Sequence, residues 1–421
     1  MSSLIPDGWT TSTLGVLTDV RSSNVDKKSY EGHTPVKLCN YTDVYYKNRI
    51  TNQINFMRAT AKEREIERFT LEFDDVIITK DSETPEDIAI PAYVSENLEG
   101  VICGYHLTLL KPNKMVTSGQ YLAHLFQLPS TRHHFYILAN GITRFGLTAD
   151  AINNAPLTVP PLPEQQKIAK ILTSVDEVIE KTQAQIDKLK DLKTGMMQEL
   201  LTKGIGPGGV PHTEFKDSPV GRIPVGWECE LLDNVVKRGS GHTPDKTKPE
   251  YWNGGIKWIS LSDSNKLDQL YISDTSKKIS ELGIDNSSAR IHPKGTVIMT
   301  RDAGIGKSAI TTDGMAVSQH FMAWICNHEF NNYFLYYILQ LWKPRFEAIA
   351  MGSTIKTIGL PYFKKLYVPV PPVDEQLKIS NSLRSVDKNI FSMIRKNKAI
   401  KNVKKALMQD LLTGKVRVKI D

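Results

Sequence analysis

The stretch VPPLPEQQKIAKILTSVDEVI, residues 159–179, returns as VPPVDEQLKISNSLRSVDKNI, residues 370–390, an offset of 211. The offset holds beyond the quoted residues: Met197, Gln198, Leu200, Leu201 and Thr202 fall on Met408, Gln409, Leu411, Leu412 and Thr413. About 40 positions therefore match without insertion or loss, as in a duplicated structural unit. A second anchor lies upstream of each copy, IPDGW at Ile5–Trp9 and IPVGW at Ile223–Trp227. Between the anchors lie residues 10–156 and 228–367, which mostly differ, so a repeated frame carries two unlike inserts. Faint echoes survive inside them. Val76-Ile77-Ile78-Thr79-Lys80-Asp81 resembles Val297-Ile298-Met299-Thr300-Arg301-Asp302, and Gly141–Leu147 sits where Gly352–Ile358 does. The apolar runs read as buried strands, and Leu122–Leu128 and Tyr333–Leu341 as short helices, so both inserts are expected to share one α/β (α+β) fold.

Each repeated segment reads as a long helix. After Pro163 no proline interrupts a run of strong helix formers, and the first copy stops at Gly204, before Gly206-Pro207-Gly208-Gly209. Residues 204–222 then form an irregular connector. Steps of four and three residues pick out Ile168, Leu172, Val175, Ile179, Thr182, Ile186, Leu189, Lys193, Met196 and Leu200. The second copy has Ile379, Leu383, Val386, Ile390, Met393, Asn397, Ile400, Lys404, Leu407 and Leu411. This heptad seam suits an intramolecular coiled coil, with rods of roughly 60 Å for 40 residues. A parallel in-register pair would set Lys193 against Lys404, a like-charge contact that an antiparallel pair avoids. The expectation is two antiparallel helices related by a pseudo-twofold.

Composition narrows the function. No stretch has the length and apolarity of a membrane span and the first residues lack the signal-peptide pattern, so a cytoplasmic location is expected. Cys39, Cys103, Cys229 and Cys326 are too scattered for a disulfide framework or a CxxC pair. The net charge of +7 is unevenly placed: residues 1–210 hold 22 Lys and Arg against 25 Asp and Glu, and residues 374–421 hold 12 against 5. Such a basic stretch can lie on phosphates or on an acidic protein, or be a solvated helix face.

Catalytic motifs fail at named positions. Gly304-Ile305-Gly306-Lys307-Ser308 looks like the end of a phosphate loop, but Arg301 stands where that motif needs its first glycine, and strand-forming residues follow. The ten histidines show no metal-ligand spacing, and no GxSxG elbow is present. A base-flipping adenine methyltransferase would need a polar residue before a Pro-Pro-aromatic turn, yet Pro160-Pro161 and Pro371-Pro372 lie between aliphatic residues. Pro244-Asp245 with Lys248 and Glu250 lacks the strand context of a nuclease. No metal or cofactor is expected in this chain.

What remains is binding chemistry. Lys237, Arg238, His242, Thr243, Lys246 and Lys248 cluster in a glycine-containing stretch followed by Tyr251, Trp252 and Trp258. Basic loops beside aromatics suit phosphate contact and groove entry, although a tryptophan is more often core. Arg301, Asp302, Lys307, Gln319, His320 and Lys356, with Lys80, Asp81, Thr143 and Arg144 in the first insert, supply groups of the kinds that read base edges. Each alone serves equally well as an ordinary surface or structural side chain.

At this point the motifs resemble a known family. The helix starts PPLPEQQKIAKIL and PPVDEQLKIS, the helix ends MQELLTKGI and MQDLLTGKVRV, and the connector TEFKDSPVGRIPVGW are similar to those of the specificity subunit of type I restriction-modification enzymes. Within the inserts, HTPDKTKPEYWNGGIKWIS with TRDAGIGKSAI resembles one class of target-recognition domain, and VKLCNYTDVYYKNRI with ITKDSETPEDIAIPA another. The resemblance implies a first recognition domain at 1–158, a spacer helix and connector at 159–222, a second recognition domain at 223–367 and a second spacer helix at 368–421. It implies a non-catalytic chain that binds one half of a bipartite double-stranded DNA site with each domain. It further implies docking of two methylation subunits, which use S-adenosylmethionine, and of restriction subunits, which use ATP and magnesium. The copies differ at Ile186 against Asn397, and the second helix is the more basic.

Overall fold

Residues 5–352 and 356–420 are described by a computed structural model. The chain forms two compact units, the first built from Met1–Gln183 with Lys396–Asp421 and the second from Ala184–Arg395. Both long helices, Leu162–Lys203 and Val373–Leu412, are shared between the units rather than lying outside them.

In the first unit a five-stranded sheet has the order Thr18–Ser22, Leu107–Pro112, Val76–Thr79, Pro91–Val94 and Arg49–Ile50. In the second the order is Lys237–Gly239, Phe321–Ile325, Val297–Thr300, Ser308–Thr311 and Tyr271–Ile272. Pairing is antiparallel in both except at the last position, where Arg49–Ile50 and Tyr271–Ile272 each run parallel to their neighbour. The echo VIIT/VIMT is the central strand of each sheet. All four residues of both are buried, which an unbroken apolar run provides and an alternating one would not. A smaller sheet accompanies each: Met57–Ala61, Thr34–Cys39 and Val101–Cys103 in the first unit, and four strands led by Lys277–Ile279 and Trp252–Ile259 in the second. The expected mixed fold and its duplication are what the structure holds.

The repeated frame does the same work in each unit. Gln165 is fully buried, accepts from the Thr117 hydroxyl and the Ser118 amide, and donates to the Val116 and Pro160 carbonyls. Gln376, 211 residues on, accepts from the Asn331 amide and donates to the Glu329 and Pro371 carbonyls. Ser118 and Asn331 are the N-caps of the helices Gly119–Phe126 and Asn332–Leu341, so each glutamine ties a long-helix start to a domain-helix start. Each anchor tryptophan packs on the glycine that ends a long helix. Gly204 (φ +69°) lies against Trp227 and Glu375, Gly414 (φ +70°) against Pro6 and Trp9, and a Cβ at either would collide.

The helices run antiparallel within each unit. In the first, Ile168 and Leu172 share a core with Met408, Leu411 and Leu412; in the second, Met197 and Leu201 share one with Ile379 and Leu383. The lysines that argued for this direction each find an aspartate: Lys404 Nζ lies 2.7 Å from Asp176 Oδ1, and Lys193 Nζ 2.7 Å from Asp387 Oδ1. Lys404 lies 211 residues after Lys193 and Asp387 lies 211 after Asp176, so the repeat converts one pair into the other with the two helices exchanged.

The seam differs from expectation in one respect. Ile168, Leu172, Ile379 and Leu383 are fully buried, Ile186, Val386 and Ile390 nearly so, and Val175, Ile179, Leu189, Ile400 and Leu407 only half-buried. Toward the first helix's end the buried residues are Met197 and Leu201, one place beyond the expected Met196 and Leu200. An α-helix advances 3.6 residues per turn, so a 3.5-residue stripe drifts round its surface unless the helices supercoil to hold it. These last turns face a domain core that accepts the drift. The connector is likewise less irregular than expected, for Phe215–Lys216 pairs with Ile223–Pro224.

Candidate nucleic-acid interface

Beyond the central strand of each sheet stands a basic residue and an aspartate, Lys80-Asp81 and Arg301-Asp302. In the first unit Asp81 Oδ1 lies 2.6 Å from His106 Nδ1 and 3.3 Å from Arg144 Nη2. In the second, Asp302 Oδ2 lies 2.7 Å from His320 Nδ1, while Oδ1 accepts from the Thr357 hydroxyl. Each histidine immediately precedes the adjacent strand, Leu107–Pro112 or Phe321–Ile325. The backbone repeats too. Lys80 N donates to His106 O and Arg301 N to His320 O, both at 2.9 Å. Leu147 N reaches Lys80 O at 3.0 Å and Ile358 N reaches Arg301 O at 2.9 Å. His106 (φ +71°) and Ala303 (φ +45°) hold left-handed backbone beside these carboxylates, a conformation that a non-glycine residue keeps only where its surroundings impose it.

The candidate residues separate into those brought together and those not. In the first unit Lys80, Asp81 and Arg144 converge with His106; the Lys80 ammonium lies 3.4 Å from Ser23 O and 5.0 Å from the Tyr105 ring centre. Thr143 is exposed on the loop beside Arg144. In the second unit Thr243 donates to Gln319, whose amide lies 3.5 Å from His320, which meets Asp302. Arg301 Nε is 3.6 Å from Asp302, and the Lys356 carbonyl accepts from Ala303 N. Lys307 N bonds the Thr300 hydroxyl, but its ammonium turns to Ser264 O at 3.3 Å. His242 is exposed, and its carbonyl accepts from Trp258 Nε1.

Lys237 and Arg238 lie apart. They pair with Ile325 and Trp324, several residues along the strand from its His320 end, and Arg238 engages Asp233 at 3.0 Å. Lys246 is exposed beside Asp245, which caps its own turn through Thr247. Of the tryptophans, Trp258 is buried and Trp252 half-buried, their rings edge to face at 5.1 Å, so both serve as packing. Ser308–Thr311 is a strand, where a phosphate loop would be followed by a helix. Of the Gly352–Ile358 echo, residues 353–355 lie outside the described residues.

His106 was missed in the sequence. It sits 25 positions from Asp81, just before a different strand, and only the sheet pairing joins them. The legible signal was a histidine opening an apolar run in both inserts, HLTLL at 106–110 and HFMAWI at 320–325. Nearby, Tyr41 donates to Ser82 at 3.1 Å, and burial lifts its phenol above the usual range. The surface near each carboxylate thus offers cations, amides and hydroxyls of the kinds that contact phosphates and base edges.

Comparison with known proteins agrees with the motifs. The family model for the type I restriction modification DNA specificity domain matches residues 6–191 and again 224–402. The chain is 27% identical over 362 residues to a Methanocaldococcus jannaschii protein assigned as the MjaX specificity subunit, covering 85% of this chain and 82% of that one. The MjaVIII specificity subunit of the same organism is 30% identical over 277 residues, 63% of each chain. Among solved structures, the type I restriction-modification S subunit of M. genitalium superposes with a TM-score of 0.60 over 97% of both chains at 13% identity, a likeness of fold. No helix among the described residues is long and apolar enough to cross a membrane. With the family model matched twice over most of its length, the chain belongs to the specificity subunits of type I restriction-modification systems, the subunits that recognise DNA.

Proposed function

We propose that each unit reads one half of a split, asymmetric double-stranded DNA target, and that the long helices set the gap between the halves. The observation that carries this is the pairing of a constant frame with changing contents. Gln165 and Gln376, or Asp176 and Asp387, keep one role in both units, while the groups gathered around Asp81 and Asp302 differ. Equal frames with unlike reading surfaces suit unlike half-sites. Lysines and arginines position the backbone and the smaller polar set reads bases, so affinity falls steeply with salt.

In this reading the chain performs no reaction of its own. Two methylation subunits dock on it and bring S-adenosylmethionine, restriction subunits bring ATP and magnesium, and the assembly works in the cytoplasm. The test exchanges residues 10–156 for the first recognition domain of another specificity subunit and maps methylated adenines in the host genome. One half-site should change and the other stay; a change in both would refute the modular reading. Deleting one heptad from each helix should shorten the gap or abolish assembly, whereas an unchanged gap would remove the helices' role as spacers. Methyl transfer or cleavage by the purified chain alone would overturn the non-catalytic assignment.

A further inference from the structure

The recurrence of the Asp–His contact calls for a reason beyond stability. The two histidine side chains are 30% and 36% exposed, and ion pairs that open to water contribute little to folding. Yet the contact returns with the same backbone register in inserts whose sequences mostly differ. What it preserves is geometry, namely where a returning loop lies on the end of the sheet. In the first unit Asn140 and Gly146 close that loop by exchanging two backbone hydrogen bonds, at 3.0 and 2.9 Å. In the second, Met351 and Thr357 exchange the equivalent two. Both carboxylates then reach the loop as well as the histidine, Asp81 through Arg144 and Asp302 through the Thr357 hydroxyl.

The tip of the first loop is Ile142, 95% exposed, beside Thr143 and Arg144. An apolar tip flanked by a hydroxyl and a guanidinium matches the major-groove edge of DNA, where a thymine methyl neighbours purine acceptors. We propose that Asp81–His106 and Asp302–His320 are duplicated positioning pairs, each fixing the chain where it returns to its sheet end, at Gly146 and at Thr357, against one half-site, and that Ile142 with Arg144 contacts a thymine-containing step of the first. This rests on the assignment of one half-site to each unit.

The experiment uses the full chain assembled with its methylation subunits and sequences the products of methylation on a randomised duplex library. His106→Ala should cut base discrimination about tenfold in one half-site and leave the other unchanged, and His320→Ala should do the converse. His106→Gln, whose amide can donate to Asp81, should restore part of the loss. Ile142→Ala changes a side chain standing in solvent, so it bypasses folding and should weaken the same half-site as His106→Ala. Uniform loss of methylation across all sequences in both histidine variants would show a latch that serves stability alone and overturn the proposal. So would an Ile142→Ala library identical to the wild type. A wild-type library with no split target would instead sink the half-site assignment itself, before any variant is compared.

Discussion

Glu164 and Glu375 occupy the same place in the repeat and are held differently. Glu375 accepts from Trp227 Nε1 at 3.0 Å, from the Ile205 amide at 2.7 Å and contacts His212 Nε2 at 3.0 Å. Glu164, 1% exposed, is instead gripped by Arg417, with Nε and Nη2 each 2.7 Å from a carboxylate oxygen. The indole Nε1 of Trp9, the counterpart of Trp227, is buried with no hydrogen-bond partner among the described residues. A carboxylate at a long-helix start needs compensation once buried, and this chain supplies it by two routes. In the second unit the connector passes the site and donates. In the first the segment after the second helix brings a bidentate arginine. The lesson is that duplication conserves the demand for a partner, while the identity of the partner follows from which piece of chain runs past.

That contrast can be broken in four places. Glu375→Ala strips three partners at once and should cost about 3 kcal/mol in denaturant titration, because hydrogen bonds to a charged group are worth about 1.5–3 kcal/mol each and some water re-enters. Arg417→Ala should lower the unfolding midpoint by leaving Glu164 buried without its cation; equal stability of the wild type and this variant would mean that solvent already serves Glu164. Trp227→Phe should destabilise by about 1 kcal/mol more than Trp9→Phe, since only the former breaks a charged hydrogen bond. Asp387→Ala should exceed Asp176→Ala by less than about 1 kcal/mol: each loses one lysine, but Asp387 also accepts from Tyr337 at 2.6 Å.

A pH titration sharpens the comparison at its smallest effect. His124, in the first unit, is pushed down to about 3 by burial and by the nearby Lys404. His292, in the second, is lowered by burial as well. A base whose folded pKa lies below its unfolded value binds protons preferentially when unfolded, so stability is complete above about 6.5 and is lost as pH falls toward 3. Between pH 7 and 5.5, His124 alone should remove about 1 kcal/mol from the first unit. Replacing it with Gln should flatten that part of the profile, and an unchanged slope would acquit His124.

Much of this was legible because it is periodic or repeated. The constant offset of 211 announced two copies, the heptads announced helices, and Lys193 with Lys404 argued for their direction through simple repulsion. The aspartates that receive those lysines were not foreseen, because Asp176 and Asp387 lie beside the seam and face it only once the helices are set against each other. Trp252 and Trp258 stood next to the basic loop in sequence yet pack against each other, and Lys237 and Arg238 fell outside the cluster because a strand carries them away from its His320 end.

The sequence by itself determined the duplication, the helical rods, the central strands VIIT and VIMT and the family, since each is written in local pattern or in motif. Only the tertiary structure decided that Asp81 meets His106 and Asp302 meets His320, and that Glu164 and Glu375 satisfy one need by different partners. Those contacts join residues 18 to 253 positions apart, and spacing along a chain carries no information about neighbours created by sheet order and helix direction.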